Sequence, residues 1–393
     1  PEWAKLMLRL YQAYQDRNQA VLALADRLNR DPFLGESIHQ VLTHVTAIRA
    51  AAEIIEDEEA LPEDDQEKFL SIISSDARRL SEVAQALAGF FDSSHVRIGS
   101  ATPMEHVDAY ILEHHNYFQE LEDVAADLLR QSLPGEPAEA MLTRLLKADA
   151  STALPDVALS PASIRFVRTR QLIAGPVAEA VKNLTEKAPA LADEEARRLA
   201  AAALESYAAA ALLMPYDAFL EAAEASRYDL DVLARRFEVS YEQAAHRLAT
   251  LQRPGAKGLR FAFMRSDPSG YVTKRLPLPR LPLPRYGTAC PLWVVYGAFQ
   301  TPGVTARSYG ELPTGEQFFF FARAVEKLST PPGYPRRLLS VMLALPAEEA
   351  HRVSAADGLD RSSALVPVGT VCRLCPREAC LHRQEAPLIN LRR

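Results

Sequence analysis

Two apolar seams of nearly heptad period, one on each side of an acidic proline turn, constrain the fold most strongly. In the first arm Ile38, Val41, Val45, Ile48, Ala52 and Ile55 recur at intervals of 3, 4, 3, 4 and 3 residues. In the second, Phe69, Ile73, Ala77, Leu80, Ala84, Leu87 and Phe91 recur at 4, 4, 3, 4, 3 and 4. Alternating threes and fours keep apolar side chains on one stripe of a helix, where a second helix can cover them. Between the arms, Pro62 precedes Glu63, Asp64 and Asp65. Proline and negative charge both suit a helix N-terminus, whose first N–H groups lack partners and whose dipole end is positive. Residues 33–95 therefore predict a helical hairpin. One hairpin cannot hide two seams alone, so pairing with a second copy into a four-helix bundle, a homodimer, is expected.

A chain of 393 residues exceeds one ordinary domain. Hydrophobic residues at 48% and charged residues at 24% exclude a disordered chain. No apolar run approaches the length of a membrane helix and no basic-plus-apolar leader is seen, so a cytoplasmic protein is expected, with no membrane partner. The order of segments predicts an α+β protein, mainly helical. Residues 1–32 form a long amphipathic stretch, read as a helical linker. Residues 96–150 read as a helical connector, with Thr102-Pro103-Met104-Glu105 as a capping box. Residues 151–252 are helical, including the alanine-rich run from Glu194. After Gln252 proline, glycine and aromatics become frequent, and 253–393 predicts a mixed, mainly β domain. Its strand candidates are FAFMR, YVTKR, LWVVYGAF and EQFFFFARAV. The twice-repeated LPLPR unit, with proline at alternate positions, suits an extended segment outside a central strand.

Three of the four cysteines, Cys372, Cys375 and Cys380, lie within nine positions, and Cys290 stands about 80 residues upstream. Few cysteines in a long chain exclude a secreted disulfide scaffold. C-x2-C-x4-C brings thiolates close enough for one metal centre, with Cys290 as the distant fourth ligand. Thiolate sets suit tetrahedral Zn²⁺ or an iron–sulfur cluster, and spacing does not separate the two. Arg373, Arg377 and Arg383 would offset the charge of a four-thiolate centre.

With a net charge of −7 the chain has no overall pull towards nucleic acid, so any anion site must be local. Residues 253–285 supply one: Arg253, Lys257, Arg260, Arg265, Lys274, Arg275, Arg280 and Arg285 stand against the single acid Asp267. Phe261, Phe263 and Tyr271 are interleaved, and Tyr286 follows. A phosphate-bearing ligand with a flat or acyl part fits, and Arg260, Phe261, Phe263, Arg265, Lys274, Arg275 and Tyr286 are the candidate ligand-binding residues. A solvated face of alternating strands produces the same pattern. Helix-turn-helix spacing over 226–251 lacks a cationic reading helix, and plain helix packing accounts for it. Glu113-His114-His115 lacks the i, i+4 partner of a zinc peptidase.

SYAAAALLMPYDAF, RYDLDVLARRFEVSYEQAAHRLATLQRPG, YGTACPLWVVYGAF and VGTVCRLCPREAC, in that order over roughly 195–390, resemble the short-chain fatty acyl coenzyme A regulator family. The resemblance implies a bacterial transcription factor with an N-terminal helix-turn-helix, an IrrE/ImmA-like domain, and a C-terminal domain sensing short-chain acyl-CoA. It also shifts the four cysteines towards a [4Fe–4S] cluster, with Zn²⁺ as the alternative. Residues 151–252 would then be a degenerate metallopeptidase-like domain, because no histidine occurs between 151 and 245 and H-E-x-x-H is impossible there. No enzyme is expected. DNA would be bound through an upstream head that this chain lacks. An iron–sulfur redox or stress sensor with a vestigial ligand pocket is the alternative function. The hairpin is similar to the dimerisation helices of sensor histidine kinases, with His39 in the phospho-acceptor place. Gln40 replaces the acid that usually follows, and no ATP-binding boxes follow, so the fold is expected without the chemistry.

Overall fold

The structure, a computed structural model, describes residues 32–57, 62–98, 103–130, 144, 159–191, 193–278, 280–281, 283–284, 289–328, 333, 336–372 and 375–385. The linker over 1–31, Thr102 of the expected capping box, Arg285, Tyr286 and Arg373 lie outside them. The chain divides into two compact units between Ala101 and Thr102.

In the first unit, helices Pro32–Asp57 and Glu63–Ile98 form the expected hairpin. The inner stripe differs from the forecast by one position at four places. His44, Ala51, Asp76 and Val83 face inward, whereas Val45, Ala52, Ala77 and Ala84 are exposed. A polar pair takes the inner position: His44 Nδ1 meets Asp76 Oδ1 across the arms at 2.7 Å. Leu42, Val45, Ile54, Leu70 and Ile72 remain exposed. The hairpin thus covers one stripe on each arm and leaves further apolar surface open.

In the second unit, side-chain caps mark where helices begin. Ser160 accepts from Ser163 N and Asp193 from Ala196 N, opening Pro161–Glu186 and Glu194–Leu213. Asp229 opens Leu230–Arg236, and Ser240 with Gln243 forms a full capping box at Tyr241–Ala249. Alanines along Glu194–Leu213 leave room for the neighbouring helices, and Ala196, Ala200 and Ala208 to Ala211 are buried. The two helices with helix-turn-helix spacing are part of this core. Ala244, Ala245 and Leu248 are buried, which is the plain packing expected of them.

Six strands form one sheet in the order β2-β1-β5-β4-β3-β6: β1 Ala262–Ser266, β2 Val272–Leu276, β3 Ala306–Glu311, β4 Gln317–Leu328, β5 Arg337–Pro346 and β6 Leu365–Pro367. Among the described residues, only the β3–β6 pairing is parallel. The four phenylalanines of β4 alternate across it. Phe319 and Phe321 join the helical core, and Phe318 and Phe320 join a second core on the opposite face. A strand buried on both faces reads as an unbroken apolar run.

LWVVYGAF, expected as a strand, is instead the short helix Val294–Gly297 followed by a 3-10 turn over Ala298–Gln300. Periodicity cannot separate a short buried helix from a buried strand. Packing decides here, because Trp293, Val295 and Ala298 all enter the second core. The LPLPR repeat begins in the last residue of β2, Leu276, and its described residues then add the isolated bridge Leu278↔Leu281.

Candidate functional site

β1 and β2 carry the basic residues, and their register sets Arg265 directly opposite Lys274. Both meet the Tyr241–Ala249 helix. Arg265 donates to Glu242 Oε1 and, through Nε, to Thr273 Oγ1 at 2.7 Å. Lys327 Nζ takes the other Glu242 oxygen at 2.7 Å. Burial pushes the Glu242 carboxyl up, but Arg265 and Lys327 outweigh it and hold it below the usual range. His246, edge-on to Phe263 at 5.3 Å, is driven well below the usual imidazole value by burial and by Lys274, Arg265 and Arg247. It is therefore neutral at pH 7. Lys274 is pushed down to about 8, chiefly by burial and then by Arg265. It forms no ion pair among the described residues. Two cations share one carboxylate, and a third stands beside them with no counter-ion of its own.

Folded Lys274 thus releases its proton near pH 8 and the unfolded chain near the ordinary lysine value of 10.5. Between these values the unfolded chain holds the extra proton, so this group makes stability rise with pH across that window. Below pH 8 its full penalty is present. Lys274→Met should remove that slope and stabilise the chain at pH 7 by about 1–3 kcal/mol, allowing for partial exposure. Urea unfolding of both proteins at pH 7 and 9.5 checks it, and an identical pH dependence sinks it.

The remaining candidates scatter. Phe263 is fully buried in the helical core and is not open to a ligand as placed. Arg275 pairs with Asp108 at 3.0 Å and donates to the Leu283 carbonyl at 3.2 Å. Arg260 is exposed, and with buried Phe261 it lines a separate small cavity.

The cysteines gather by backbone pairing. Ala289 bridges Val371, and Cys290 N donates to Thr370 O at 3.2 Å. A Cβ on Gly369 would lie 3.1 Å from Cys375 Sγ and 3.9 Å from Cys290 Cβ, so only glycine lets the two segments approach this closely. Burial pushes the Cys290 thiol up, and Cys372 and Cys375 push it further. Arg377 donates to Val368 O and Glu311 O at 2.8 and 2.6 Å, and Arg383 to Cys372 O and Cys375 O at 2.8 and 3.0 Å. These guanidiniums, expected to balance thiolate charge, are spent on pinning the loop. Cys380 O accepts from Arg383 N at 3.2 Å in a local turn, and no described contact brings its thiol to the other three. All four cysteines are free thiols. Among the described residues, no three His, Cys, Asp or Glu side chains form a group that could hold a metal ion, so the four-thiolate centre is not assembled here.

Sequence reading missed several partners. Arg247 is buried against Glu122 from a distant helix. Its signal was a cation on the apolar stripe with Ala244 and Leu248. The hydroxyl of Tyr296 is buried without a partner, and the nearby Cys290 helps push it up to about 12, after burial itself. No pattern in the sequence marks it. In the peptidase-like region Glu205 is held by Arg170 at 2.9 Å.

Residues 250–391 match the family described as short-chain fatty acyl coenzyme A regulator, C-terminal, and residues 179–249 match the IrrE N-terminal-like domain. The HTH-type transcriptional regulator PrpR of Mycobacterium tuberculosis is 32% identical over 337 residues, covering 78% of this chain and 69% of PrpR. The chain belongs to the short-chain fatty acyl coenzyme A regulator family. A propionyl-CoA carboxylase regulator of Cereibacter sphaeroides is 44% identical over 194 residues, 49% of this chain and 42% of that relative, so the match spans less than half of that protein. A solved structure of a Mycobacterium tuberculosis transcriptional regulator superposes with a TM-score of 0.66 at 30% identity, covering 73% of this chain and 94% of that one. The family is one of transcriptional regulators, not of enzymes. No single described helix is long and apolar enough to cross a membrane. One bent pair, Glu194–Leu213 with Tyr216–Ala225, passes that test jointly, but its apolar residues fill the helical core.

Proposed function

We propose that the chain is the sensing and dimerising part of a cytoplasmic regulator that binds short-chain acyl-CoA and acts on DNA through an upstream helix-turn-helix. The observation that carries the reading is the excess of cations on strands of the region matching the acyl-CoA regulator family: Arg265 and Lys327 share Glu242 of the preceding helix, Arg275 takes Asp108, and Lys274 stands beside them with no ion pair of its own among the described residues. A polyanionic ligand would supply the missing negative charge, and neutral His246 adds no further cation. The open apolar surface of the hairpin supports a homodimer through a four-helix bundle. Ligand binding would then bias the spacing of two DNA-binding heads, by differential affinity for two arrangements.

For the cysteines, a [4Fe–4S] cluster held by Cys290, Cys372, Cys375 and Cys380 is the proposed occupant, with Zn²⁺ as the alternative. Two features favour it: Cys375 and Cys290 meet at Gly369 with Cys372 near enough to raise the Cys290 thiol, and the buried Tyr296 hydroxyl beside Cys290 lacks an acceptor that a metal-bound sulfur would provide. When bound, the cluster supplies reversible electron transfer and zinc a structural cross-link. The chain's own part is to hold the loop, through Arg377 and Arg383.

Calorimetry with acetyl-, propionyl- and free CoA on anaerobically purified protein tests the reading, with light scattering and metal analysis on the same sample. Saturable heat, a dimer and bound iron or zinc are expected. Absence of heat with every CoA species removes the ligand half, a monomer removes the bundle, and a metal-free sample removes the centre.

A further inference from the structure

We propose that one side of the helical hairpin, the side carrying Val45, Ala52, Leu70, Ala77 and Ala84, is the seam against a second copy of the chain, and that each first arm lies there against the partner's second arm. This assignment rests on the homodimer reading and adds to it which face pairs and which arms meet.

The arms are the helices Pro32–Asp57 and Glu63–Ile98. Val45, Ala52, Ala77 and Ala84 each follow directly on an inward residue, namely His44, Ala51, Asp76 and Val83. One step along a helix turns a side chain by about 100°. Because the arms are antiparallel, a forward step on either arm turns towards the same side of the hairpin. Leu70, 52% exposed, follows half-buried Phe69 and falls on that side too. A backward step turns to the opposite side, where Ile54 and Ile72 precede half-buried Ile55 and Ile73. The two sides differ in charge. Along the second arm the forward neighbours of inward residues are Gln66, Leu70, Ser74, Ala77, Ser81 and Ala84, and none carries a charge. The backward neighbours include Asp64, Lys68, Arg79 and Glu82. On the first arm the forward positions are Leu42, Val45, Arg49, Ala52 and Glu56, with Arg49 held by Glu53 at 2.9 Å. Loss of charge marks the core of an interface, and charge marks its rim or a solvated face.

A second copy accounts for the displacement. In a square bundle each helix touches two neighbours, so its apolar stripe points between them, roughly 45° from the line to either. The heptad seams do this. Val41, Ile48, Ile55, Phe69, Ile73 and Leu80 turn into the hairpin, and Val45, Ala52, Ala77 and Ala84 turn out of it to one side. The partner supplies the missing neighbour. Levels along the axis fix which arms meet. His44 lies across from Asp76, and a helix rises about 1.5 Å per residue. Val45 is then within about 3 Å of the level of Ala77, and Ala52 within about 3 Å of the level of Leu70. A twofold axis along the bundle keeps these levels, setting Val45 against the partner's Ala77 and Ala52 against the partner's Leu70. A larger side chain then faces an alanine at both places, as interdigitated packing requires. Every adjacent pair of helices is antiparallel, and both copies of Pro32 lie at one end.

Sedimentation of the full chain tests the seam with Val45→Glu and Ile54→Glu, at two residues of similar exposure, 44% and 40%, on opposite sides. Val45→Glu buries an unpaired charge in the seam and is expected to weaken dimerisation about a hundredfold or more, with helicity by circular dichroism unchanged. Ile54→Glu is expected to leave the dimer intact. Ala77→Lys should dissociate it as Val45→Glu does, and mixing those two variants should restore a dimer through their opposite charges. A dimer in Val45→Glu, or dissociation by Ile54→Glu, overturns the seam and leaves the homodimer reading standing. A mixture that stays monomeric overturns the pairing of each first arm with the partner's second arm. A monomeric wild-type chain removes the homodimer reading itself, and the seam with it.

Discussion

Arg247→Met is expected to destabilise the folded chain by about 3–5 kcal/mol, because it strands a buried carboxylate. Arg247 is fully buried and Glu122 is 8% exposed. The guanidinium donates to both Glu122 oxygens, at 2.6 and 2.9 Å, and through Nε to the Met214 carbonyl at 3.0 Å. Tyr207 donates to the same carboxylate at 2.6 Å. Without Arg247, Glu122 must stay charged in an apolar core or take up a proton, and Met214 O loses its donor. The double variant Glu122→Met/Arg247→Met should recover much of the loss, since an apolar pair often replaces a buried ion pair at little cost. Urea unfolding of the three proteins checks this, and a single variant losing under about 1 kcal/mol overturns it. Thr250, whose hydroxyl donates to Arg247 O at 2.8 Å, heads the turn that presents Gln252.

Trp293→Ala is expected to cost about 3–5 kcal/mol and to loosen the cysteine loop. Trp293 is 1% exposed and stands edge-on to Phe320, with ring centroids 5.2 Å apart. Its indole N–H donates to Gly369 O at 2.8 Å, the residue against which Cys375 and Cys290 pack. Alanine leaves a cavity and also orphans that carbonyl. Trp293→Phe keeps most of the ring, so it isolates the hydrogen bond and should cost about 1–3 kcal/mol. Both variants should react faster with a thiol reagent at Cys290. Unchanged thiol reactivity in Trp293→Phe would detach the indole from the cysteine site.

The two substitutions mark where sequence patterns stop. The hairpin was legible because a local period, repeated over many turns, forces the seam inward whatever else the chain does. Even there the pattern erred at Val45 and His44. A stripe of apolar residues does not say that His44 will find Asp76, 32 positions away, at 2.7 Å. The basic stretch was legible as charge, but not as chemistry. Phe263 went to the core and Arg275 to Asp108, which no local count of cations anticipates.

By itself the sequence determined the helical hairpin, the change from helix to sheet near Gln252, the β4 strand, and membership of the family through four ordered motifs. All of these depend on neighbours along the chain, on residue types at fixed spacing. Only the tertiary structure decided that LWVVYGAF is a helix and that Arg247 meets Glu122. Those outcomes pair residues far apart in the chain. Their energies come from desolvation and hydrogen bonds formed only once the segments are brought together.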